Sequence, residues 1–366
     1  MVKIDFANLH AQYLKYKNEI DCAIQRVIDS SQFIMGEEVK ELEDELSRFT
    51  NTQAITCANG TDALLIALMG IGIEPGDEVI TTPFTFISTA EVIALLKAKP
   101  VFVDISEEDF NIDAEKIESA ITSKTKAIIP VSLFGQPSEM DKINEIAKNY
   151  QLRVIEDAAQ SFGATYKGKR SCNLSELATT SFFPAKPLGC YGDGGAIFTS
   201  NTELAEKIRS IRNHGQIRRY YHKYVGLNSR LDTLQAAILR VKLKYYNNEI
   251  DIRNEVAKRY TSLLSDKITP KVKSEKTSVW AQYTVKIKSR DHIQGKLQSC
   301  GIPTAVHYPL PLHLQEAFAF CERKKGDFPV AEKASMEVLS LPFSAYLTEE
   351  EQGYICNKLN SFLGEE

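Results

Sequence analysis

Three short stretches of this 366-residue chain combine residue types that can do chemistry. The first is Ala58-Asn59-Gly60-Thr61-Asp62-Ala63-Leu64. A β-rich run ends, a glycine turns the chain and an apolar helical pattern begins. The start of a helix has free backbone N–H groups and a positive dipole end, which suits a phosphate. An ordinary strand-to-helix turn, capped by Asn59 or Thr61, would read the same way. The second stretch is Val154-Ile155-Glu156-Asp157-Ala158-Ala159-Gln160-Ser161. Asp157 closes an apolar strand at its carboxyl end, where α/β sheets bind ligands. An acid there can hold magnesium, a ribose hydroxyl or a protonated ring nitrogen, or it can cap a helix. The third runs from Thr180-Ser181-Phe182-Phe183-Pro184-Ala185-Lys186 into Gly192-Asp193-Gly194-Gly195. A lysine between an aromatic strand and a glycine-rich turn can lose its proton and act as an amine nucleophile. Ser181, five residues earlier, is within reach of a phosphate.

The elements that must position these residues alternate. Ala54–Ala58, Glu78–Thr81, Val101–Asp104, Ala127–Val131 and Arg153–Glu156 read as strands, as do Ala178–Phe183 and Gly195–Ser200. Helical patterns fall between them, at Thr61–Ile71 and Ala114–Ile121. Apolar strands alternating with helices imply a mostly parallel sheet covered on both faces. A long helical pattern from Leu231 to Leu264 leads to a second region. There Gln282–Lys288 alternates as a strand, and Ile293–Cys300 and Glu349–Phe362 read as helices. The expected organisation is a large domain over residues 36–245, a smaller α+β domain over 246–366, and a segment 1–35 packing on the smaller domain.

Composition narrows the function. The net charge of -4, with both signs interspersed, gives no footprint for nucleic acid or an anionic membrane. The apolar runs are too short to span a bilayer. Seven scattered cysteines without a CxxC pair signal neither a metal site nor a disulfide framework. A cytoplasmic protein with no bound metal is expected.

Phosphate turn, acid, serine and lysine together make the set that pyridoxal phosphate requires. The lysine condenses with its aldehyde, and the acid keeps the pyridine nitrogen protonated. An aromatic from Thr82–Phe86 can stack on the ring. The chain also resembles the DegT/DnrJ/EryC1/StrS sugar aminotransferases over nearly its whole length. The resemblance rests on Asn59–Leu64, Glu156–Gln160, Ser181–Lys186, Arg212–Gly215 and Asn228–Asp232, in that order. Within the family it is strongest to the members that aminate a UDP-linked 2-acetamido-3-oxo-glucuronate, over Ser181–Thr199 and Ala305–Pro309.

The resemblance implies an aspartate-aminotransferase-like α/β fold (fold type I) and a cofactor that cycles between pyridoxal phosphate and pyridoxamine phosphate. It implies Lys186 as the catalytic lysine, Asp157 at the pyridine nitrogen and Gln160 at the ring hydroxyl. Gly60, Thr61 and Ser181 would hold the phosphate. Phe86 would stack on the ring, with Phe84 as the alternative. Asn228 would reach the phosphate from the other subunit of a homodimer. Arg230, His307 and Tyr308 are the candidates for the sugar and its carboxylate, and Arg230 could instead pair with Asp232. L-glutamate, leaving as 2-oxoglutarate, is the expected donor. Lys186 favours transamination over the dehydration of relatives that carry histidine there.

Two other classes compete. Gly70-Ile71-Gly72-Ile73-Glu74-Pro75-Gly76 follows a helix and precedes a strand, the reverse of a dinucleotide-binding turn. A cofactor-binding regulator without catalysis would need a DNA-binding module, and no basic helix-turn-helix segment is evident. Within the family, amination of a 4-keto or a different 3-keto nucleotide sugar stays open.

Overall fold

Apolar strands that need cover on both faces decide the architecture. The computed structural model describes residues 4–365. Two helices lead in, α1 (Leu9–Ser30) and α2 (Glu37–Thr50). The chain then alternates through β1 (Gln53–Cys57), α3 (Gly60–Ile71), β2 (Glu78–Thr81), α4 (Ser88–Leu95), β3 (Lys99–Phe102) and β4 (Thr125–Ile128). It continues through α5 (Met140–Asn149) and β5 (Arg153–Asp157) into the short hairpin of β6 (Thr165–Tyr166) and β7 (Lys169–Arg170). β8 (Leu177–Ser181), β9 (Gly195–Thr199) and α6 (Thr202–Arg212) follow. A second short hairpin, β10 (Gln216–Arg218) and β11 (Tyr221–His222), precedes the 31-residue helix α7 (Thr233–Leu263).

The central sheet has the order β1-β9-β8-β5-β4-β2-β3. Strands β3, β2, β4, β5 and β8 are mutually parallel, and β9 runs against both of its neighbours. The carboxyl ends of β1, β5 and β8 therefore share one edge of the sheet with the start of β9. α3 is apolar on nearly every side because it lies between the sheet and helices α4 and α6. Its Ile66, Ala67 and Leu68 have no exposed surface.

The second region pairs β12 (Tyr283–Lys286) antiparallel with β13 (Val338–Leu341). Around them α8 (Arg290–Ser299), α10 (Glu349–Leu363) and the end of α7 pack over a cluster that includes Tyr260, Tyr283, Leu339 and Ile355, while α9 (Pro329–Glu337) buries Ala331 and Ala334 in a separate cluster with Phe84 and Phe102. Thr348 starts α10 with a reciprocal capping box to Glu351. The segment expected on the smaller domain divides. Ile4 joins that domain's apolar cluster, while α1 lies along α7, with Ile20 against Ile238 and Val27 against Ala237. The expected boundary at residue 245 falls inside α7.

Two expectations are corrected. Ala114–Ile121 is not an α-helix but two 3₁₀ turns, Ala114–Lys116 and Glu118–Ala120. Its apolar residues Ala114 and Ile117 dock into the sheet cluster, and the chain returns to extended backbone at Ile121 before α-helical pairing can propagate. β3 and β4 also end earlier than expected, at Phe102 and Ile128. Past the end of β3, the Asp104 carboxylate accepts from the N–H groups of Val330 (3.1 Å) and Ala331 (3.0 Å) at the start of α9.

Candidate active site

Close backbone approach builds the first corner of the site. β1 ends at Cys57, and Asn59 caps α3 by accepting from the Asp62 N–H at 2.8 Å. A Cβ on Gly60 would lie 2.6 Å from the Cβ of Ser181 at the end of β8. A Cβ on Gly195 would lie 2.4 Å from the Asn59 carbonyl oxygen. Only glycines allow β8, β9 and the start of α3 to converge here. The result gathers the first-turn amides of α3, the Ser181 hydroxyl and the Thr61 hydroxyl, which is 2.7 Å from that of Ser88.

Asp157 ends β5 and is 5% exposed. Its carboxylate accepts from the Thr89 hydroxyl (2.9 Å) and the Ala159 N–H (3.2 Å). Burial pushes this carboxyl above its ordinary value, and the two hydrogen bonds and the nearby Lys186 charge oppose the rise. Lys186 rides a tight turn after β8, where its N–H donates to the Phe183 carbonyl at 2.8 Å. Gly189 closes that turn, since a Cβ there would meet the Pro184 carbonyl oxygen at 2.4 Å. Burial lowers the Lys186 amine below the usual lysine value, and Asp157 partly restores it.

Gln160 is buried with its orientation fixed from two sides. Its Oε1 accepts from the Phe134 N–H (2.9 Å), and its Nε2 donates to the Tyr308 hydroxyl (3.3 Å). His307 lines the same space, with Nδ1 2.9 Å from the Ser340 hydroxyl. Burial, then the Lys186 charge, depress its pKa to about 4, so the imidazole is neutral near pH 7. Phe86 is 55% exposed toward the opening, whereas Phe84 is fully buried in a core cluster.

These side chains line one cavity of about 720 Å³. It brings together Gly60, Thr61, Phe86, Asp157, Gln160, Ser181, Lys186, His307 and Tyr308. Asn228 and Arg230 are not on its wall. Asn228 is exposed and bridges Asn213 through the backbone. Arg230 donates to the Asn213 side chain at 3.4 Å, and among the described residues it makes no ion pair with Asp232. His214 follows the end of α6 in left-handed backbone (φ 61°) and stays off the cavity.

Sequence reading missed Thr89, Val131 and Gln282, which also line the cavity. Thr89 had a faint local signal, four residues after Thr85 in a threonine-rich turn. It missed Lys242 as well, whose buried ammonium donates to the Gly189 carbonyl at 2.6 Å and supports the Lys186 turn from behind.

The residues fit the expected cofactor. Among the described residues, the buried Asp157 carboxylate takes hydrogen bonds only from neutral donors, an arrangement that calls for a cation such as a protonated pyridine nitrogen. The glycine cradle beside Ser181 offers hydrogen-bond donors that would suit a phosphate.

Comparison with known proteins agrees. The DegT/DnrJ/EryC1/StrS aminotransferase family matches residues 15–360. A Pseudomonas aeruginosa protein, UDP-2-acetamido-2-deoxy-3-oxo-D-glucuronate aminotransferase, is 55% identical over 98% of this chain and 100% of its own length. A Geobacillus stearothermophilus protein called a pleiotropic regulatory protein is 48% identical over 99% of both chains. The crystal structure of NtdA from Bacillus subtilis with bound cofactor PMP superposes with a TM-score of 0.92 at 32% identity, covering 100% of this chain and 86% of that one. This chain belongs to the DegT/DnrJ/EryC1/StrS aminotransferase family.

Proposed function

We propose that this protein uses pyridoxal phosphate to move the amino group of L-glutamate to carbon 3 of a UDP-linked 2-acetamido-3-oxo uronic acid. The product would be a 3-amino sugar for a bacterial surface polysaccharide such as O-antigen. The observation that carries the reading is the single cavity joining Lys186, Asp157 and the start of α3. Full-length 55% identity to an aminotransferase of that substrate supports the choice of sugar.

The cofactor, when bound, supplies an aldehyde and a ring that withdraws electrons from the substrate carbon. The chain does the rest. Gly60 and Thr61 amides and the Ser181 hydroxyl hold the phosphate. Asp157 would keep the ring nitrogen protonated, Gln160 would hydrogen-bond the ring hydroxyl, and Phe86 would stack on the ring. Lys186, with its amine depressed by burial, is neutral more often than a surface lysine. In that form it is both a nucleophile toward the aldehyde and a base for the substrate carbon. The same amine then returns the proton to carbon 3 of the sugar.

Glutamate and the sugar both bring carboxylates, and the sugar adds a diphosphate. Lys186 is the one lysine or arginine on the cavity wall among the described residues, and His307 is neutral. Asn228 and Arg230 lie off their own chain's cavity, which supports a homodimer in which each serves the partner's site. Arg230 can then fork onto a carboxylate or phosphate, with Tyr308 and His307 offering neutral hydrogen bonds to the sugar. Among the described residues no helix is long and apolar enough to cross a membrane, and a cytoplasmic enzyme acting on soluble nucleotide sugars is the matching setting.

The test mixes cofactor-loaded protein with L-glutamate and candidate keto-sugar nucleotides, then identifies the product by mass and by the position of its amine. A 3-amino uronic acid is expected. Amination only of a 4-keto sugar would replace the substrate and keep the reaction. The name of the 48% identical relative raises a purely regulatory role. Cofactor binding without turnover of any donor or sugar is the outcome that role predicts.

A further inference from the structure

Glu156 stands one residue before Asp157 on β5, so its side chain leaves the opposite face of the sheet. It has no exposed surface. Its carboxylate accepts from the hydroxyls of Ser171 and Ser132 (3.3 Å for the latter) and from the N–H of Cys172 (2.9 Å). Among the described residues no cation pairs with it, and burial pushes its carboxyl up to about 7. A plain core position would be filled by an apolar side chain at lower cost.

The bonds lead from Glu156 back to the cavity. The Ser132 hydroxyl accepts from the Ser138 N–H at 3.3 Å, and the Ser138 hydroxyl donates to the Val131 carbonyl at 2.9 Å. The Ser132 N–H donates to the Asp157 carbonyl (3.0 Å), and the Asp157 N–H donates to the Pro130 carbonyl (2.9 Å). The same segment presents the Phe134 N–H that fixes Gln160, from a left-handed backbone at φ 55°.

We propose that Glu156 is a positioning residue, whose carboxyl ties residues 130–138 and Cys172 to the end of β5 and thereby aims Asp157 and Gln160 at the cofactor ring. This rests on the cofactor reading above.

The experiment titrates apo-protein with pyridoxal phosphate, following absorbance for affinity and visible circular dichroism for the orientation of the bound ring. Glu156→Gln can accept from the Cys172 N–H and donate to the two serine hydroxyls, so it should stay within about threefold of wild type. Glu156→Leu removes the acceptor shared by those three donors and leaves the buried Cys172 N–H unpaired. It should bind about tenfold or more weakly and show an altered dichroic band. Ser132→Ala removes one tie only and should shift both readouts the same way by less, which keeps the test decisive where the leucine variant fails to fold. A wild type that binds the cofactor, beside folded variants with unchanged affinity and dichroism, would overturn the inference alone, even were their melting temperatures lower. So would Glu156→Gln as weak as Glu156→Leu. A wild type that does not bind pyridoxal phosphate would overturn the cofactor reading and this inference with it.

Discussion

The two ends of the cavity are built differently. At the ring end, Asp157, Gln160 and the Lys186 turn are each held by hydrogen bonds within the chain, to Thr89, Phe134, Tyr308 and Lys242. At the mouth, Phe86 and Phe183 are more than half exposed, and neither Asn228 nor Arg230 lines the chain's own cavity. One chain therefore holds Asp157, Gln160 and the Lys186 turn in place by itself. Under the proposed function, the part that would recognise a particular sugar is left for a partner chain or the ligand to complete. Preorganised hydrogen bonds cost nothing at the moment of reaction, whereas an open mouth lets one scaffold serve many sugars.

That contrast can be broken experimentally, beginning at the ring end. Lys186→Ala should lower steady-state turnover by about 10⁴-fold or more, because it removes both nucleophile and base. Asp157→Asn should lower turnover by roughly 10²–10³-fold and weaken cofactor retention, read as cofactor lost on gel filtration. The mouth is sharpened by mixing Lys186→Ala with Asn228→Ala, each expected to be inactive by itself, after dissociating and reassociating the chains. If each site needs both subunits, half of random dimers regain one intact site, giving about a quarter of wild-type activity. No recovery would make the mouth as self-contained as the ring end.

A smaller effect separates the ends by pH. His307 titrates near 4 in the folded chain, against about 6.5 when unfolded. The unfolded chain takes the proton first, so His307 contributes stability above pH 6.5 that is lost as pH falls toward 4. Between pH 7 and pH 5 this amounts to about 2 kcal/mol. Denaturant unfolding of apo His307→Gln should lose that much less over the same interval. The smallest effect lies away from both ends. Thr348→Ala removes the cap of α10 and should cost about 1 kcal/mol of stability with unchanged kcat and KM.

Legibility in the sequence followed the same divide. The gathering of Lys186, Asp157, Gly60 and Ser181 at one cavity was readable because each sits at or just after a strand end whose apolar pattern and glycines are local features. Lys242 and Thr89 were not, because only tertiary folding brings helices α7 and α4 against the site. Phe86 and Phe84 are chemically alike and two residues apart; the family resemblance favours Phe86, and burial separates them physically, with Phe84 in the core and Phe86 on the cavity wall. Ala114–Ile121 has the spacing of one helical face, yet docking of Ile117 broke it into two turns. Asp104 looked like the end of a strand because nothing local reveals that it caps α9, more than two hundred residues on.

The helix α7 carries a consequence for length. Ala236 and Leu239 lock its first half into the sheet domain, and Val256 and Tyr260 lock its second half into the smaller one. At 1.5 Å per residue its 31 residues make a strut of about 46 Å. Because an α-helix turns about 100° per residue, its length also sets a phase. One residue added near the middle would rotate the smaller domain by that angle and swing His307 and Tyr308 off the cavity. The strut therefore tolerates substitution on its exposed face but not insertion. Sugar specificity in such a molecule is free to change through the loops at the mouth, while the number of residues in α7 is held fixed.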